Sequence, residues 1–236
     1  MKQWVWILAL ALTASVAAGA QLDRQARFMG AVAGIVPEPF RAFAQEQLTE
    51  RALEKEDPIL ALAEARTLLE RRPVPAEHVR LFAQAQALSG QGEAGLTTIQ
   101  IAAQRGWRDP IAQEARLRLA LSSGAEGEAA VRYAALFASS NVLDETLEEL
   151  GPQVLSTPAA IDQFAAILSG SERWRDKFLQ RGSRLLPFPL FARITVAALE
   201  RETQFDCRAL QQVERQFTRR DPATAQVIVN DIARRC

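Results

Sequence analysis

Few residues in this 236-residue chain have the type and spacing to do chemistry. The single histidine, His78, stands beside Glu77 and Arg80 near the start of a helix-forming stretch. A catalytic imidazole needs a nucleophile or a metal with partners; no such group is near it in sequence, so an exposed helical histidine is expected. Cys207 and Cys236 are two ligands short of a tetrahedral zinc site, and His78 alone does not complete one. Glu145, Glu148 and Glu149 recur at i, i+3 and i+4 around Leu147 and Leu150, the pattern of a solvated helix face. A glycosidase would instead need a buried general acid in a cleft. The phosphate-binding glycine loops and the Gly-x-Ser-x-Gly elbow are absent. The expectation is a chain with no catalytic residue, no cofactor and no metal. The competing expectation is a peptidoglycan-active enzyme, or a degenerate relative of one, on a superhelical all-α scaffold. Its lysozyme-like domain carries a Glu-Ser pair that this sequence lacks.

Charge narrows the partners. The 28 basic and 28 acidic residues cancel and are interspersed, whereas a nucleic-acid binder concentrates a basic excess on one face. No nucleic-acid partner is expected. Arginine supplies nearly all the positive charge, lysine occurring only at Lys2, Lys55 and Lys177; this reads as genomic base composition. A hydrophobic share of 48% is enough for a folded core without metal support.

The N-terminal stretch bears on location. Lys2 precedes an uncharged apolar run from Trp4 to Ala20, and Ala18-Gly19-Ala20 places small residues where a signal peptidase reads them, before Gln21. The same run is at the lower limit for a membrane span. Trp4 and Trp6 stand where an interfacial anchor would, with Asp23, Arg24 and Arg27 on the far side. Residues 1–20 are therefore either a signal peptide or an N-terminal membrane anchor. Both readings place the body in the periplasm, soluble or held on the inner membrane.

The remainder reads as all-α. Asp57-Pro58, Asp109-Pro110, Thr157-Pro158 and Asp221-Pro222 each put a capping acceptor before a proline at the first helical position, and apolar residues recur at three and four. Segments beginning at Asp57, Gln91 and Glu126 superpose at a spacing of about 34, with one inserted residue in the third. Two of them follow helices expected over Pro75–Leu88 and Pro110–Ser122, which end in Ser89-Gly90 and Ser123-Gly124. Glycine there supplies the left-handed turn after a helix.

On these residues, the glycine turns and the closing Arg105-Gly106-Trp107-Arg108-Asp109-Pro110, the chain resembles the tetratricopeptide-repeat family over about residues 40–140. Leu81 and Ala85 stand where that family has a large aromatic and a Leu-Gly pair. Arg105–Asp109 and Trp174-Arg175-Asp176-Lys177-Phe178-Leu179 are also similar to a membrane-anchored tetratricopeptide-like group found beside bacterial exopolysaccharide genes. The resemblance implies a solenoid of stacked antiparallel helix hairpins, with repeats over 21–150 and further hairpins over 151–236. It also implies a non-enzymatic envelope scaffold that holds a protein partner on the first helices of its hairpins. Arg80, Gln84, Gln86, Glu114, Arg116, Arg118 and Trp107 are the candidate contacts.

The cysteines give a geometric expectation. With a hairpin turning near Arg220, Cys207 lies 13 residues before the turn and Cys236 lies 16 after it. Those arms measure roughly 20 and 24 Å, so the sulfurs meet at the open end. The bridge should stabilise this hairpin by roughly 3 kcal/mol. Exported protein should therefore migrate differently on reducing and non-reducing gels; identical mobility with two freely alkylated thiols rules the bridge out.

Overall fold

The computed structural model describes residues 2–139, 142–219, 221, 222, 225, 226 and 229. Every regular element among them is helical, and the contacts divide the chain into two units, Met1–Gly106 and Trp107–Cys236. This division falls inside the stretch read from sequence as one run of repeats.

The first unit begins with α1 (Lys2–Ala26), then 3₁₀ turns at Gly30–Ile35 and Glu38–Phe40, and α2 (Phe43–Glu54), α3 (Pro58–Arg71), α4 (Ala76–Leu88) and α5 (Gly92–Arg105). α2 packs on α3, α3 on α4 and α4 on α5. Asp57 caps α3 as its spacing before Pro58 predicts, accepting from Leu60 N at 3.0 Å. Between α4 and α5 the chain turns through Gly90 at φ +79°, a conformation that costs glycine nothing and other residues a Cβ clash. The α2–α3 turn lacks that glycine signature because Glu56 takes the left-handed position, at φ +53°. Alanines fill the contact between these helices: Ala52, Ala61, Ala65 and Ala85 form one buried cluster. Small side chains let the helix axes approach closely.

The second unit holds α6 (Pro110–Ser122), α7 (Glu126–Ala138), α8 (Asp144–Val154), α9 (Pro158–Ser169), α10 (Glu172–Lys177), a π turn at Phe178–Gly182, α11 (Ser183–Leu185), α12 (Phe188–Glu200) and α13 (Cys207–Thr218). Asp109, Thr157 and Asp206 cap α6, α9 and α13. Gly124, at φ +69°, repeats the Gly90 turn. Here the core is aromatic. Tyr133, Phe137, Phe164 and Phe178 lie ring to ring at 5.9–6.3 Å, and Phe178 stacks on Phe191 at 4.8 Å.

Two boundaries differ from the expected ones. The sequence reads as a short acidic helix over Asn141–Gly151 and another helix over Glu172–Arg181; the latter gives way to the π turn from Phe178, and α8 continues past Gly151 through Pro152 to Val154. Pro152 lies in the last turn of α8, where it removes one helical hydrogen bond and the helix ends two residues later. Cys207 opens α13 and is not a free thiol; Cys236 and most of the helix expected after Asp221-Pro222 lie outside the described residues.

Asp23 ties α1 to the body. Its carboxylate, nearly buried, accepts from Ala42 N (2.8 Å), Phe43 N (3.2 Å) and Ala44 N (2.8 Å) at the start of α2, whose own N-cap position, Ala42, has no side-chain acceptor. A cap is normally local; this one comes from a preceding helix. Asp23→Ala strands three N–H groups and should cost about 2–3 kcal/mol. The check is the first urea unfolding midpoint of the detergent-solubilised chain, and an unchanged midpoint would contradict the cap.

Candidate functional sites

His78 is not the exposed helical residue expected from sequence. It is 1% exposed, on α4, in the wall of a 500 Å³ cavity in the first unit. Its Nδ1 lies 2.8 Å from the Arg72 carbonyl and its Nε2 lies 3.2 Å from Glu46 Oε2. A carbonyl only accepts, so Nδ1 carries a proton. The hydrogen bond from His78 holds the Glu46 carboxyl below its usual range, against a desolvation that pushes it up; the nearby positive charges of His78, Arg72 and Arg27 add to the lowering. Both ring nitrogens thus face oxygens, one from the Arg72 main chain and one from the Glu46 carboxyl. The ring is held at both edges by these two contacts.

Around this pair, Arg72 Nη1 stands 3.6 Å from Glu46 Oε2 without a hydrogen bond, and Arg72 and Arg27 both lie over the Phe43 ring, at 4.5 and 5.4 Å. The cavity lining adds Gln47, Pro75 and Glu77. These residues supply charge and hydrogen-bonding capacity, and none of them is a serine, threonine, cysteine or lysine. Sequence reasoning missed Glu46, Arg72 and Phe43. His78 and Glu46 are 32 positions apart, near one repeat length, and no local signal joins them.

The candidate contacts scatter. In the first unit Arg80 Nη1 donates to Gln84 Oε1 at 2.9 Å, and Gln86 is buried rather than projecting, because it faces the interior side of α4. In the second unit Arg116 is drawn sideways onto α7. Its Nε lies 3.1 Å from Glu128 Oε1, which also takes Arg132 Nε at 2.8 Å, while Arg132 Nη1 donates to Gln113. Arg118 pairs with Glu114 (2.9 Å) and, more loosely, with Glu149 (3.5 Å) at an exposed surface. Glu145, Glu148 and Glu149 are exposed and Leu147 and Leu150 fully buried, as their spacing predicts. No group of three or more metal-ligating side chains occurs among the described residues.

Trp107 is the aromatic among the candidate contacts. It is 47% exposed, 6.4 Å from the Trp174 ring, with the Arg108 guanidinium 5.0 Å above it. Packing against a hairpin end describes Trp174, which rests on the aromatic core, but not Trp107. Behind Trp174, Lys177 donates to the Ala138 carbonyl, and Arg181 donates to Ser139 O (2.8 Å), Val142 O (2.7 Å) and Asp144 Oδ1 (2.7 Å). The Trp174–Leu179 motif thus carries one partly buried aromatic and one of the cations that close the end of α7, Lys177; Arg181 lies two residues beyond it.

No family model matches the chain, and comparison with curated proteins and with solved structures also finds no match.

The Glu46–His78 contact has a pH signature. Because the folded carboxyl is held low, its contribution is present above the ordinary carboxylate range and is lost as pH falls through the folded value. Glu50, raised by burial and by Glu46, works in the opposite sense. Glu46→Gln should therefore lower the urea midpoint at pH 7 and flatten its fall between pH 5 and 3; identical pH slopes in both proteins would exclude the contact as a source.

Proposed function

We propose that the chain is a non-enzymatic scaffold of the bacterial cell envelope, built as a solenoid of helix hairpins and holding a protein partner. The observation that carries the reading is the half-exposed Trp107, paired with Trp174 and roofed by Arg108. Tryptophan and arginine dominate the binding energy of protein interfaces, since a large rigid ring gains contact area at little entropic cost. Arg80 and Gln84 on α4, and Glu114 and Arg118 on α6, are the polar contacts assigned to the same role within their own units. Support for the solenoid comes from the helix, left-handed glycine, helix arrangement at Gly90 and again at Gly124.

The compartment assigned is the periplasm, with the chain either released or held by α1. The pathway assigned, on the resemblance, is exopolysaccharide synthesis or export. The partner is an envelope protein of that machinery.

Trp107→Ala should weaken recovery of the co-purifying partner from solubilised membranes about 30-fold, the loss expected for an interface tryptophan worth about 2 kcal/mol, while the melting temperature stays within a degree or two. A clean monomer from wild-type membranes, or muropeptides released from purified sacculi, overturns the scaffold reading.

A further inference from the structure

α1 presents a long apolar surface with nothing on it. Trp4, Trp6, Leu8, Leu10 and Leu12 are each at least 67% exposed, and the most apolar window of Gln3–Ala26 is 6% buried at a mean hydropathy of 1.8. The other end of the same helix belongs to the first unit. Gly19 is buried so closely under Phe40 that a Cβ there would come within 2.6 Å of the ring. Leu22 packs beside it, Ala26 is fully buried, and Asp23 caps α2.

Cleavage before Gln21 would leave Gln21–Ala26, six residues, to hold that cap. So short a piece does not sustain a helix; Asp23 would stand in a fraying first turn, and the Gly19–Phe40 contact would be gone. We propose that α1 is retained, that it crosses a lipid bilayer, and that its last two turns are fused into the first unit, seating the unit on the membrane without a spacer. Trp4 and Trp6 then mark the far interface. From Trp4 to Ala18 the helix rises about 21 Å, some 9 Å short of a ~30 Å hydrocarbon core. The bilayer thins locally, or the junction is drawn into the headgroup layer, toward the depth at which Arg24 and Arg27 meet lipid phosphate.

The inference rests on the envelope reading for its compartment only. The test is the full chain expressed in a Gram-negative host, followed by alkaline carbonate extraction of membranes, intact mass, and protease added to spheroplasts. The expected result is a carbonate-resistant protein whose mass includes residues 4–20 and whose body is digested from outside. A mass beginning at Gln21 overturns the inference and leaves the envelope reading standing. A full-length protein in the soluble fraction, its apolar face covered by a second copy, also overturns it. A carbonate-resistant protein whose body is protected in spheroplasts and digested only after lysis upholds the anchor and removes the periplasmic assignment. Gly19→Leu reports on the fusion: the variant should still resist carbonate, yet its body should be cleaved at least 10-fold faster by limiting protease. An unchanged rate overturns the fusion of α1 with the unit.

Discussion

Short helices end often, and each end leaves four N–H or four C=O groups without a helical partner. Closing those ends is the constraint on which the rest of this fold depends. Asp57, Asp109, Thr157 and Asp206 close their own helices from the preceding position. Where the local residue cannot serve, a distant one does. Ala42 is silent, and Asp23 reaches across from α1 to take three amides of α2. At the other polarity, Lys177 and Arg181, one turn apart, both place cations on the carbonyl end of α7, where the helix dipole also favours them.

With the ends closed, the two units fill their interiors differently. The first uses alanine, which brings backbones close and loses no rotamer freedom. Gly95 extends this between α4 and α5, since a Cβ there would meet Ala83 O at 3.0 Å. The second uses phenylalanine, each ring burying far more apolar area, with tilted and edge contacts such as Phe137–Phe164 beside stacked ones such as Phe178–Phe191. The aromatic set is what keeps the π turn at Phe178–Gly182 in place: Phe178 is fully buried between Phe164 and Phe191.

The all-α class, the proline-marked starts and the Gly90 and Gly124 turns were legible in the sequence because their causes act within four residues. The ends of α4 and α6 fall within a residue of expectation for that reason. The Asp23 cap, the Glu46–His78 pair and the Arg181 latch were not legible, because each joins residues 19 to 44 positions apart. His78 shows the cost most plainly. Read locally it is a polar residue near a helix start; in the fold its neighbours come from α2 and from the end of α3. Gln86 is buried for a related reason, since helix phase decides which side of α4 is outermost and the sequence around it is polar on several sides.

The long-range closures also have a direction. Asp23 precedes the amides it serves, so a ribosome that has delivered α2 has already delivered its cap. Arg181 follows the carbonyls of Phe137 and Ser139 by 44 and 42 positions. During synthesis the exit of α7 therefore stays open until the π turn emerges.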